Sequence, residues 1–120
     1  MPEKEDKIFL CHISDAISRI EEYTSEIDED EFIENHLIQD GVIRQIEIIG
    51  EATKRLSNKI KDKYTDIPWK DISGMRDKLI HHYFGIDISA VWKTVKEDIP
   101  TLKDKIENIL KDIELLFPSN

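Results

Sequence analysis

"IQDGVIRQIEIIGEATKRL", residues 38–56, decides the fold class. Ile38, Val42, Ile46, Ile49, Ala52 and Leu56 recur at steps of three and four residues, which is the rhythm of one face of an α-helix. Gly50 lies inside this helix, where glycine costs about 1 kcal/mol against alanine. A glycine held at that cost predicts close packing of another helix against this point.

The same rhythm runs outward in both directions. Ile8, Cys11, Ala16, Ile17, Ile20 and Ile27 predict a first long helix ending near "SEIDEDE", followed by a turn or short helix holding Phe32 and Ile33. Downstream, "YTDIPWKDISG" breaks the pattern. Asp66 suits a helix cap and Pro68 the first turn of a third helix, which is expected to run to a glycine cap at Gly85. Asp87 suits the cap of a short fourth helix, "ISAVWKTVKE". Asp98 and Pro100 suit the start of a fifth, carried by Leu102, Ile106, Ile109, Ile113 and Leu116 as far as Pro118. With no repeat, linker or low-complexity tract, residues 1–120 read as one all-α domain, an antiparallel bundle of four to five helices.

Composition narrows the function. Acidic residues outnumber basic ones 26 to 17, for a net charge of −9, which argues against broad, nonspecific nucleic-acid binding but leaves room for a local basic patch. No stretch approaches the ~20 apolar residues of a membrane span, and the start of the chain has no apolar signal core, so a soluble cytoplasmic protein is expected. Cys11 is the single cysteine, which excludes an intrachain disulfide. His12, His36, His81 and His82 supply no His-Glu-x-x-His pattern, so neither a metal nor another cofactor is expected.

"GMRDKLIHHYFG", residues 74–85, is the unusual segment. On an ideal helix Ile72, Arg76, Leu79 and Tyr83 fall within about 60° of one another, so Arg76 interrupts an apolar stripe and needs an anionic or hydrogen-bonding partner. A structural ion pair is one reading of it. Gly74, Asp77, Lys78 and His81 share the other face; Asp77 and His81 are four apart, which lets the carboxylate orient the imidazole, and Gly74 would admit another backbone. A solvated face with an incidental histidine is the plainer reading. Arg76 and His81, five apart, diverge by about 140° on a regular helix. Bringing them together takes either a distorted helix end before Gly85 or a second subunit across a two-fold axis. The second route predicts a homodimer with a composite site.

These residues carry a resemblance. Arg-x4-His-x-Tyr, formed by Arg76, His81 and Tyr83, resembles the signature of the HEPN superfamily, with Asp77 at a position that is polar there. "IIGEATKRLS", "IPWKDISGMRDKLIHHYFGID" and the following "VW" resemble the HepT-like branch over nearly the whole chain. The resemblance implies an all-helical, usually dimeric, metal-independent endoribonuclease, the toxin of a type VII toxin–antitoxin pair. It also implies a minimal nucleotidyltransferase antitoxin that transfers AMP onto the motif tyrosine, here Tyr83.

The residues suit that chemistry. RNA is cut without metal when its 2′-hydroxyl attacks the adjacent phosphate. Such proton transfer needs a group that titrates near neutrality, as histidine ordinarily does, which suits His81, and the Arg76 fork can stabilise the charged phosphorane. Asp77 would orient His81. The Tyr83 hydroxyl would bind phosphate or accept AMP, and Lys78 and His82 are candidate RNA contacts. Two other readings compete: a helical nucleotide- or partner-binding module that supports a nucleotidyltransferase without cutting RNA, and a scaffold dimer with Arg76 and Asp77 in interface ion pairs. The acidic net charge favours the binding module and the intact motif favours the nuclease; an RNA-cleavage assay separates them.

Overall fold

A computed structural model describes residues 2–81 and 85–116, with side chains described for all of these except 2–4, 80, 81 and 116. The chain is all-α, as the periodicity predicts. Its long elements are α1 (Pro2–Thr24), α3 (His36–Arg55) and α8 (Ile99–Leu116). Between them lie the short α2 (Glu29–Glu34), α4 (Asn58–Lys63), α5 (Trp69–Ser73), α6 (Met75–Lys78) and α7 (Ile88–Lys93). Two two-residue strands, β1 (Ile80–His81) and β2 (Gly85–Ile86), pair antiparallel.

Cross-helix contacts fix the directions. Lys7 pairs with Glu114 and Lys103 with Glu21, so α1 and α8 run antiparallel. Gly41 faces Tyr23 while Arg55 lies over the Phe9 ring, so α1 and α3 do the same. Between these helices Leu10, Ile13, Ile17 and Ile20 of α1 meet Val42, Ile46 and Ile49 of α3 and Ile106 and Ile109 of α8 in one buried core. Side chains of this size each contribute roughly 1.5–3 kcal/mol on full burial.

Local chemistry sets the boundaries. Asp28 caps α2 in a reciprocal box with Glu31: its carboxylate accepts from Glu31 N at 2.9 Å, and the Glu31 carboxylate accepts from Asp28 N at 3.4 Å. The Asn35 side chain accepts from Ile38 N at 3.0 Å and starts α3; Asp87 starts α7 by accepting from Ala90 N at 3.1 Å, as expected. Of the residues assigned to the first helical stripe, Ile8 is exposed and Ile27 lies beyond the helix end; Leu10 and Ile13 take the core positions instead.

Three expectations are corrected. Asp66 does not cap a helix: α5 begins after Pro68, and the Asp66 carboxylate lies 2.9 Å from Lys105 Nζ, which holds its pKa below the usual carboxylate range. The expected fourth and fifth helices are continuous through a π-helical turn, Thr94–Asp98. Pro100 has no N–H to donate, and its ring crowds the carbonyl four residues back; the wider turn accommodates it without breaking the helix. Finally, α4 is a helix the periodicity did not announce.

The start of α4 explains a buried charge. Asp6, on α1, is only 2% exposed and accepts from Ser57 N at 2.8 Å and Ser57 Oγ at 2.6 Å. Ser57 Oγ in turn accepts from Ile60 N, capping α4. Asp6→Ala would strand these donors, so a loss of roughly 1–3 kcal/mol is expected in urea unfolding. Asp6→Asn keeps an acceptor oxygen and should lose less. Equal midpoints for Asp6→Ala and wild type would remove this anchor from the account. Nearby, Tyr64 donates to Asp112 Oδ2 at 2.8 Å; burial, followed by this hydrogen bond, pushes its pKa up to about 12.

No helix among the described residues is long and apolar enough to cross a membrane.

Candidate functional site

The motif segment is not one helix to Gly85. Helix α5 ends at Ser73, Gly74 interrupts the spiral, α6 runs Met75–Lys78, and Leu79 caps it. The Leu79 carbonyl accepts from Asp87 N at 2.8 Å, and the chain then pairs Ile80 with Ile86 and His81 with Gly85. The run after Leu79 is β-branched and aromatic, with lower helix propensity than the residues before it. Gly85 has φ +84°, a conformation that glycine adopts without strain and L side chains rarely do.

This ending changes the geometry read from the wheel. The 140° separation of Arg76 and His81 belongs to a helix that stops between them, and the i, i+4 relation of Asp77 to His81 lapses with it. The distorted helix end, one of the two routes to convergence, is therefore present in the backbone. His81 is placed by its backbone alone, and His82 and Tyr83 lie outside the described residues.

Arg76 is also corrected. The buried stripe is Ile72, Met75 and Leu79, while Arg76 is exposed beside it. Its Nε lies 2.7 Å from Glu47 Oε2 on α3, with the two side chains 47% and 32% exposed. Asp77 and Lys78 are exposed as well, and Lys78 Nζ lies 3.4 Å from Asp71 Oδ1. The ion pair offered as one reading of Arg76 is thus real, with a carboxylate from another helix.

Packing of α3 against α5–α6 creates the pair. An ideal Cβ on Gly50 would lie 3.1 Å from the Ser73 carbonyl oxygen, tighter than ordinary contact. The close approach predicted at Gly50 is therefore met by the end of α5. At Gly74, by contrast, a Cβ meets only the Lys70 carbonyl of its own helix, at 3.4 Å. One turn from Gly50 along α3, Glu47 reaches Arg76.

The result is a charged cleft of about 220 Å³ lined by Arg44, Glu47, Glu51 and Lys54 of α3 and by Arg76 and Asp77 of α6. Arg44, Glu47, Glu51 and Lys54 recur at helical steps on the polar side of the same sequence stretch that supplies the core. That register is the signal the sequence offers for them. A cavity of about 260 Å³ lies against the other side of α5–α6, between Ile72, Met75, Leu79 and Leu102. Lys78 lines this cavity and not the cleft, but Arg76 and Asp77 line only the cleft, which is therefore the candidate site.

Fold and site define a small helical bundle that presents an arginine–histidine motif where a short helix gives way to a reversing chain. A family model described as "Ribonuclease HepT-like" matches residues 13–109, most of the chain. "Probable ribonuclease HepT" of Thermococcus cleftensis is 50% identical over 105 residues, covering 88% of this chain and 96% of that protein. A "Putative RNase" of Methanocaldococcus jannaschii is 46% identical over 114 residues, 95% of this chain and 98% of the relative. A longer protein of the same organism, "Gamma-glutamylcyclotransferase and putative RNase", is 49% identical over 111 residues, which is 92% of this chain and 50% of that protein. The chain belongs to the HepT-like ribonuclease family. No solved structure gives a significant match.

Proposed function

We propose that this protein is a metal-independent endoribonuclease and the toxin of a type VII toxin–antitoxin pair. The observation that carries the reading is the complete Arg76–His81–Tyr83 motif in the sequence of a chain of this family, with Arg76 on α6 and the His81 backbone paired with Gly85 just beyond its end. His81 takes the proton of the RNA 2′-hydroxyl as that oxygen attacks the adjacent phosphorus. The bond to the 5′-oxygen breaks, and the leaving oxygen takes up a proton, giving a 2′,3′-cyclic phosphate and a 5′-hydroxyl. Arg76 stabilises the phosphorane. Asp77 and Tyr83 support the site, and Lys78 and His82 contact RNA.

The working form is a homodimer whose two motifs face one cleft. Its partner is a minimal nucleotidyltransferase antitoxin. The Tyr83 hydroxyl attacks the α-phosphate of ATP, pyrophosphate leaves, and AMP remains on Tyr83. The added bulk and negative charge block the RNA site.

Charge favours a second reading, a partner-binding module that does not cut RNA. The net charge is −9, and the cleft sets three carboxylates against three cations, so it is no positive funnel. One experiment separates the two. Purified protein is incubated with RNA in excess chelator, before and after treatment with the cognate nucleotidyltransferase and ATP, with intact-mass analysis of wild type and Tyr83→Phe. The nuclease reading expects chelator-resistant cleavage, an AMP adduct that Tyr83→Phe abolishes, and loss of cleavage on modification. Intact RNA throughout gives first place to the binding module, and an adduct that persists in Tyr83→Phe removes Tyr83 as the acceptor.

A further inference from the structure

We propose that Glu47 is a positioning residue for Arg76, holding the guanidinium by its Nε edge so that both Nη groups are left for the phosphate being cleaved; the inference rests on the ribonuclease reading above. The contact is made at Nε, 2.7 Å from Glu47 Oε2, and among the described residues Glu47 is the only carboxylate within ion-pairing distance of Arg76. A guanidinium has five N–H donors, of which Nε carries one. Four therefore remain on the two Nη groups, the arrangement suited to a phosphate.

Glu47 is a good anchor and a poor strut. It sits in the middle of α3, a 20-residue helix held by buried Val42, Ile46 and Ile49 on its other side. Arg76 sits on α6, four residues long, with the helix interrupted at Gly74 and ended at Leu79. A long side chain on so short an element gains most from an external tether. As a support for the fold the pair is weak, because exposed ion pairs contribute little and the α3–α5–α6 packing is done by Ile46, Ile49, Ile72 and Met75.

The proposal predicts a split between two kinetic constants, with the loss falling on kcat and not on binding. A carboxylate beside the guanidinium repels the phosphate, so Glu47→Ala should leave KM unchanged or lower it. The untethered Arg76 should lower kcat by roughly 10–100-fold. Glu47→Gln keeps the shape and one acceptor oxygen, so its kcat should fall between the two.

The deciding measurement is RNA cleavage by wild type, Glu47→Ala, Arg76→Ala and the double variant, each checked by thermal melt. Acting through Arg76, Glu47→Ala should cost less than about twofold further once Arg76 is already alanine. Unchanged kcat in Glu47→Ala, or the same loss with and without Arg76, overturns the inference and leaves the nuclease reading intact. If wild type leaves RNA uncut, the nuclease reading falls and this inference falls with it. If Glu47→Ala does not fold, Glu47→Gln decides in the same way: no loss of kcat, or a loss independent of Arg76, overturns the proposal.

Discussion

His81→Ala is expected to reduce RNA cleavage by about 10²–10⁴-fold, the usual worth of general acid–base catalysis, without unfolding the protein. The fold should survive because His81 meets Gly85 through its backbone, and alanine retains the same N–H and carbonyl. Arg76→Ala should cost a comparable factor through loss of phosphorane stabilisation. Its stability should change by at most about 1 kcal/mol, since the guanidinium lies outside the core in a half-exposed ion pair. Had Arg76 been buried in the apolar stripe, the same substitution would have mixed stability with catalysis. Its exposure makes the experiment cleaner than the sequence suggests. His82→Ala is the internal control: position 82 is unassigned within Arg-x4-His-x-Tyr, and its loss should be smaller. Excess chelator should change nothing. Cleavage that requires Mg²⁺, or that persists unchanged in folded His81→Ala, would sink the mechanism.

The contrast between α3 and the motif segment explains which parts of this fold were legible in the sequence. In α3 every signal agrees. The apolar period, the basic residues of the last turn and the mid-helix Gly50 all point to one helix with a close neighbour, and the buried positions Val42, Ile46, Ile49 and Ala52 follow. In the motif segment the signals conflict. A helical period can be drawn through Ile72, Arg76, Leu79 and Tyr83, yet the residues after Leu79 have weaker helix propensity and a long-range bond from Asp87 captures the Leu79 carbonyl. Periodicity measures a local rhythm, and it does not register a competing partner eight residues away. The junction at Pro100 fails for a related reason. Proline near an acidic residue suggests a new helix start, while a π-helical turn can absorb the missing donor and keep the spiral continuous.

The site divides along the same line. Arg76 and His81 stand out because an arginine in an apolar rhythm and a histidine near a glycine are unusual. Glu47 does not stand out: it is one of many carboxylates in an acidic chain, 29 positions before Arg76, and only the packing of α3 on α5–α6 gives it a role. The helical register of Arg44, Glu47, Glu51 and Lys54 does identify a polar face, but which helix covers its edge is a tertiary fact.

Gly50→Val should show how firmly that packing sets the site. Valine adds two methyl groups beyond a Cβ that would already stand 3.1 Å from the Ser73 carbonyl oxygen. The obstacle is backbone, which cannot swing aside as a side chain can. Either α5 moves away from α3 or α3 bends, and overpacking of this kind costs typically about 1–3 kcal/mol. For a domain of this size that corresponds to a fall in Tm of roughly 4–12 °C. Gly50→Ala is milder because alanine gains about 1 kcal/mol of helix propensity against the same close contact. Its stability should therefore stay near wild type even where the cleft is disturbed. Gly74→Ala is the matched control: the added Cβ meets a carbonyl at the ordinary distance of 3.4 Å and φ is −98°, so neither clash nor strain is expected. Displacing Ser73 carries α6 with it, since one residue separates them, and so changes the span from Glu47 to Arg76. Cleavage by Gly50→Val should consequently fall further than its stability accounts for, at a temperature where the variant is fully folded. A Gly50→Val protein that melts and cleaves like wild type would mean that the α3–α5 contact neither limits packing nor places the arginine.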